Sequence, residues 1–294
     1  MCVPGCMEAV TAGLSRRGFF GRAGATAAGF AATAIAPASV LAQNAPPAAA
    51  PAPSAAAPTA VLPTTFTRVI DLSHTLGPKF PTFFDTAGIE LEQRADFAKD
   101  GYNMYVWKLI EHAGTHIDAP IHFAETGASV DQIRTETLVV PLAVVDVVEK
   151  ASDEADYLLS RADLDAWEAK HGRLPRGCCV AMHSGFGKLA LTDPARFIGR
   201  DVDGTLHFPG IAPEAAEWLL KERDVAGLAV DTLSLDNGPS KDFKTHKVWL
   251  PAGRWGLENV ANLEQAPAAG ATLVVGLPKI EEATGAPVRL FALV

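Results

Sequence analysis

His112-Ala-Gly-Thr-His116-Ile-Asp118-Ala-Pro-Ile-His122-Phe123 places three of the chain's eight histidines and one aspartate within eleven residues. Gly114 and Pro120 interrupt the stretch, which argues against a long amphipathic helix and predicts a short, shaped loop. Imidazole nitrogens and a carboxylate oxygen are the donors that a borderline divalent metal such as zinc or manganese prefers. A loop of this length can bring His112, His116 and Asp118 around one ion, with His122 close enough to act on a bound water. A lone histidine is an ordinary core or surface residue. Four donors on one Gly/Pro-shaped segment are what carry the metal reading.

The rest of the chain reads as support for that segment. Its 294 residues are 48% hydrophobic and 20% charged, enough apolar content for one sizeable core. A formal charge of −9 argues against a nucleic-acid groove or an anionic membrane surface as partner. A small-molecule substrate is the expected partner.

Upstream, Ser15-Arg16-Arg17-Gly18-Phe19-Phe20 sets a twin arginine before a run of alanine, glycine and aliphatic residues over 23–36. Ser39-Val40-Leu41-Ala42 then offers a signal-peptidase site after Ala42. Residues 1–42 read as a twin-arginine export signal, too short and weakly apolar for a stable membrane span. Export to the periplasm by the twin-arginine machinery is the expectation, and that route carries folded, metal-loaded proteins. Removing Arg16, Arg17, Arg22 and Glu8 takes away +2, so the mature chain would carry −11. Residues 43–64, nearly all Ala and Pro, read as an extended tether. Residues 65–294 show no second composition break and form one domain.

Cys2 and Cys6 would leave with the signal. Cys178 and Cys179 are adjacent and open an apolar run, so they read as strand residues facing opposite sides of a sheet. No CxxC occurs.

Within the domain, strands are expected over 67–72, 103–111, 139–148, 178–182, 225–230, 271–277 and 288–294. Ser160-Arg-Ala-Asp163 opens a helix like a capping box, with Leu164 and Trp167 facing inward. A second helix is expected over 213–223, with Pro at its first turn. Strands and helices interleave, which predicts mixed α/β architecture. Phe80, Phe83 and Phe84 on a proline-bearing loop, with Trp107, are candidates for a pocket wall or for simple core packing. His183 closes a buried strand and reads as a possible outer partner of the site or a structural residue. No serine-nucleophile elbow, phosphate loop, dinucleotide fingerprint or His-Glu-x-x-His is present.

The spacing His-x-Gly-Thr-His-x-Asp-x-Pro-x-His, here His112 to His122, resembles the signature of the cyclase family, which includes bacterial kynurenine formamidase (arylformamidase) and isatin hydrolase. Asp71-Leu-Ser73, Phe208-Pro-Gly-Ile211, Asp231-Thr-Leu-Ser-Leu-Asp236, His246 with Trp249-Leu250, Glu258-Asn259 with Asn262-Leu263, and Gly285-Ala-Pro-Val-Arg289 are similar to that family's later blocks, in order. The resemblance implies a swivelling β/β/α fold with mixed sheets and flanking helices, and a homodimer. By position it implies His112, His116 and Asp118 as ligands of a first ion. His246 and Glu258 would join a second ion that Asp118 bridges, and His122 would be the acid/base group. One or two ions, Zn or Mn, fit that set.

Amide hydrolysis needs a nucleophile at neutral pH and a stabilised oxyanion, both of which a metal supplies. His122 or Glu258 would move the water's proton. Without the resemblance, Glu258 reads as an exposed loop carboxylate. Asp231 and Asp236 read as structural residues or as groups that orient a ligating histidine. The expected activity is metal-dependent hydrolysis of a cyclic or aryl amide. A periplasmic metal-dependent ligand-binding protein, and a cyclase or dehydratase using the same residues, are the alternatives.

Overall fold

Cys178 and Cys179 are both buried and belong to opposite hydrophobic layers, as successive side chains of an extended chain must. The computed structural model describes residues 65–84 and 86–294. The expected export signal and tether (1–64) lie outside the described residues.

In chain order the described strands are β1 (Val69–Asp71), β2 (Ile89–Ala95), β3 (Met104–Leu109), β4 (His116–Asp118), β5 (Val139–Asp146), β6 (Leu158–Leu159), β7 (Cys179–His183), β8 (Gly210–Ile211), β9 (Gly227–Val230), β10 (Trp255–Glu258), β11 (Ala271–Gly276), β12 (Gly285–Pro287) and β13 (Arg289–Leu293). Nine of these form one mixed sheet in the order β1-β13-β11-β5-β7-β9-β10-β4-β12. Neighbours among β5, β7, β9 and β10 run parallel, and the remaining pairs are antiparallel. The expected mixed α/β architecture is what the chain adopts.

The sheet is curled. Ile70, Ile117, Val144, Cys179, Leu257, Leu273 and Leu290, drawn from strands along its whole width, meet in one cluster on one face. Helices cover the other face. Helix Arg161–His171 starts from the expected capping box, Ser160 with Asp163, and buries Leu164 and Trp167. Helix Pro213–Trp218 contributes Ala215 and Ala216, and helix Lys244–Trp249 contributes the fully buried Trp249. Each fully buried Leu, Ile or Val side chain in these layers contributes about 1.5–3 kcal/mol. The second predicted helix differs in detail: after Trp218 the chain widens into a π-helical turn, Leu219–Arg223. Arg223 there stacks on the Trp218 ring at 4.1 Å while its guanidinium pairs with Glu168.

Strands β2 and β3 form a separate hairpin. Its register sets Ile89, Leu91 and Gln93 opposite Leu109, Trp107 and Tyr105 on one face. Glu90 and Glu92 lie opposite Lys108 and Val106 on the other. One face is therefore nearly all apolar, and much of it is exposed in the single chain.

Three carboxyl ends of parallel strands converge: β7 ends at His183, β9 leads into Asp231 and β10 ends at Glu258. Sheets of this kind collect functional groups at that edge.

Candidate metal centre

The His-rich segment is not the simple loop its glycine and proline suggested. Gly114, at φ +68°, turns the chain into β4, and Pro120 begins a 3-10 turn that carries His122. Strand β4 sits between β10 and β12, with Asp118 opposite Gly256 and Gly285, and His116 opposite Glu258. Residues two apart on a strand share a face, and directly paired residues do too. His116, Asp118 and Glu258 therefore project from one face, while Ile117 between them enters the core. Glu258 is buried on a central strand, not on an exposed loop.

The side chains converge. His116 Nε2 lies 3.4 Å from Asp118 Oδ1 and 3.3 Å from Glu258 Oε2. His246, from helix Lys244–Trp249, places Nε2 3.4 Å from Asp118 Oδ2 and 3.0 Å from Glu258 Oε1. His112 Nδ1 is 2.7 Å from Asp118 Oδ1, and its ring stacks on His122 with centroids 3.8 Å apart. Two ligand triads, His112–Asp118–His122 and His116–Asp118–Glu258, each keep their donor atoms within 4.8 Å of one another and share Asp118.

Outer contacts aim these donors. His116 Nδ1 donates to the Gly114 carbonyl (2.9 Å), which turns Nε2 inward. The same carbonyl accepts from Asn259 Nδ2 at 2.9 Å, and Thr115 Oγ1 donates to the Asn259 carbonyl at 2.6 Å. Asn259 holds φ +56°, a conformation asparagine tolerates better than most residues. His246 Nδ1 donates to Asp236 Oδ2 at 2.6 Å. Asp236, which reads as structural or as orienting a histidine, does both: it also accepts the Thr245 N–H. Asp231 instead accepts from Ser184, Gly185 and Gly187, and so anchors the loop after β7. His183 stands 3.5 Å from Asp146, apart from the cluster.

Two buried carboxylates facing one another require compensating positive charge. In the metal-free chain it is protons that supply it. Burial opposes charging His116, but the adjacent carboxylates of Asp118 and Glu258 prevail and push it up to about 10. His246 is raised well above its ordinary value against the same burial. Asp118 stays well below the carboxylate range despite burial, held by His112, His116 and His246. A divalent cation would replace those protons. The residues fit one: His116 Nε2 and Asp118 Oδ2 are buried with no hydrogen-bond partner, and the N/O donor set suits zinc or manganese. His122 is the exception, lowered to about 4, chiefly by burial, and so uncharged at neutral pH.

Above the polar cluster lies an aromatic layer that the sequence showed only in part. Phe123 is 4.7 Å and Phe243 5.9 Å from the His246 ring, and Phe83 packs on Phe243 at 6.4 Å. Of the four expected wall residues, Phe83 joins this layer and Phe84 sits at its exposed edge, 6.2 Å from Phe83. Phe80 is core, packed against His74 and Phe197. Trp107 does not line the site within this chain. Its register opposite Leu91 puts it on the apolar face of the hairpin, 66% exposed. Phe123 and Phe243 were missed, Phe243 because 120 residues of chain separate it from Phe123 before the fold joins them.

The Cyclase family model matches residues 70–237. Isatin hydrolase of Roseibium aggregatum is 32% identical over 244 residues, covering 77% of this chain and 91% of that protein. Kynurenine formamidase of Paracidovorax citrulli is 26% identical over 193 residues, 64% of this chain and 78% of that protein. Among solved structures, isatin hydrolase A from Ralstonia solanacearum superposes with a TM-score of 0.72 at 35% identity, over 77% of this chain and 92% of its own. Isatin hydrolase A from Labrenzia aggregata bound to benzyl benzoate gives a TM-score of 0.72 at 32% identity, over 77% and 93%. The family match ends before His246 and Glu258. It is the pairing of β10 with β4 that brings Glu258 to the cluster.

Proposed function

The chain belongs to the Cyclase family, and from that premise we propose that it is a metal-dependent hydrolase that opens a carbon–nitrogen bond in a cyclic or aryl amide. The observation that carries this reading is the face shared by His116, Asp118 and Glu258, whose buried donor atoms lie within 4.8 Å of one another. His112, His116 and Asp118 would hold a divalent ion, Zn or Mn. His246 and Glu258, which meet Asp118 from the other side, would complete the donor set. A bound ion lowers the pKa of its water and polarises the substrate carbonyl.

His122 is the proton-transfer group in this proposal. It is neutral at working pH, so a ring nitrogen is free to take a proton and later return it to the leaving nitrogen. Glu258, with Oε1 already accepting from the Leu235 N–H, is better suited to holding charge than to shuttling a proton. Phe83, Phe123 and Phe243 provide flat apolar contact for an aromatic amide and exclude water. The named activities of the two relatives, isatin hydrolase and kynurenine formamidase, support an aryl amide as the substrate class.

The twin arginine and the small-residue run after it support export to the periplasm. A homodimer is supported by the exposed apolar face of the hairpin, which a single chain leaves uncovered.

The test is metal content of the purified mature protein together with hydrolysis of isatin and N-formylkynurenine, before and after chelation. One or two equivalents of metal with turnover that chelation abolishes and metal restores is the expected result. Protein that stays metal-free after reconstitution, or turnover indifferent to chelator, would overturn the proposal.

A further inference from the structure

His112 is held differently from His116 and His246. His116 and His246 both donate from Nδ1, to the Gly114 carbonyl and to Asp236, and so present Nε2 to the cluster. His112 has its outer contact at Nε2, 3.0 Å from Thr284 Oγ1. The Thr284 hydroxyl has a single hydrogen, which it gives to Glu111 Oε2 at 2.5 Å. The same carboxylate oxygen accepts the Thr284 backbone N–H at 3.2 Å. With its proton committed, Thr284 Oγ1 can only accept, so His112 Nε2 must be the donor. The lone pair of the neutral ring then lies on Nδ1, which faces Asp118 Oδ1 at 2.7 Å. Two acceptors that close need a positive charge at the site.

We infer that Glu111 and Thr284 form a relay that fixes His112 as its Nε2–H tautomer and makes Nδ1 its metal-binding atom. They are positioning residues. Thr284 is itself set in place by Ala119, whose N–H donates to the Thr284 carbonyl at 2.9 Å, and by the pairing of β12 with β4 that starts at the next residue. This inference rests on the metal reading of the site.

The test uses the zinc-loaded full chain. Long-range nitrogen–proton correlation spectra of wild type should show His112 protonated at Nε2 and His116 and His246 protonated at Nδ1. Zinc affinity, measured by competition with a chromophoric chelator, should fall about 10–100-fold in Thr284→Val and recover in Thr284→Ser. A spectrum with His112 protonated at Nδ1 would overturn the relay without needing any variant. So would a Thr284→Val affinity equal to that of metal-binding wild type. Wild type that takes up no zinc would instead sink the metal reading, and the relay with it.

Discussion

Asp236 Oδ2 accepts from His246 Nδ1 at 2.6 Å, while Oδ1 accepts the backbone N–H of Thr245 at 2.8 Å. One carboxylate thus caps the start of helix Lys244–Trp249 and orients the histidine that the helix carries. His246 holds it below the usual carboxylate range, although burial works the other way. Asp236→Asn keeps the cap acceptor but weakens the hold on the ring. Metal affinity should drop about 10–100-fold, read by chelator competition. An unchanged affinity would mean that helix geometry alone aims His246.

His122→Ala should keep the metal stoichiometry of wild type and lose turnover by about 10²–10⁴-fold, the usual contribution of a proton-transfer group. Metal analysis and single-turnover rates on the same preparation separate the two effects. Loss of metal in this variant would move His122 into the ligand set, where its place in the triad with His112 and Asp118 would allow it.

Protons and metal compete for one set of atoms. His116 sits at about 10 in the metal-free fold against 6.5 when unfolded. Its contribution to stability is therefore complete below pH 6.5 and lost as pH rises through about 10. Melting temperatures of the metal-free protein should decline across that window. Metal affinity should climb over the same range, because binding expels the proton. The buried thiols of Cys178 and Cys179, raised by desolvation, also lower stability at high pH. They do so with or without metal, so the difference between the two melting series isolates the histidines. Parallel series would contradict the charge balance drawn for the centre.

Gly285 lies opposite Asp118, and a methyl group there would run into the His112 ring and sit 2.7 Å from the Ile117 carbonyl. The limit is space, not backbone conformation. Gly285→Ala should cost about 1–3 kcal/mol in urea unfolding and lower metal affinity by displacing His112. A variant of wild-type stability and affinity would show that β12 can move aside without cost.

Leu91 and Trp107 face each other on the apolar side of the hairpin. In a homodimer covering that side, Leu91→Asp with Trp107→Asp should yield a monomer by sedimentation velocity while the metal-binding fold persists. Wild type that sediments as a monomer at micromolar concentration would remove the dimer proposal.

The His112–His122 cluster was legible in the sequence because its donors are close along the chain and glycine and proline shape the segment locally. The opposite layers of Cys178 and Cys179 and the Ser160–Asp163 cap were legible for the same reason: each follows from backbone periodicity or from a contact three residues long. Asp236 could be named as an orienting residue, but its partner could not.

What the sequence by itself determined is the kind of chemistry: a nitrogen and oxygen donor set for a divalent ion, carried by a mixed α/β chain. Only the tertiary structure decided which atoms take part. Glu258 stands beside His116 because β10 pairs with β4 across some 140 residues. Thr284 reaches His112 across 172 residues, and Trp107 is turned away by a hairpin register. Local pattern encodes face and period, whereas register between distant strands is set by which pairing buries the most apolar surface over the whole sheet. That choice belongs to the fold as a whole, and no single stretch of the chain contains it.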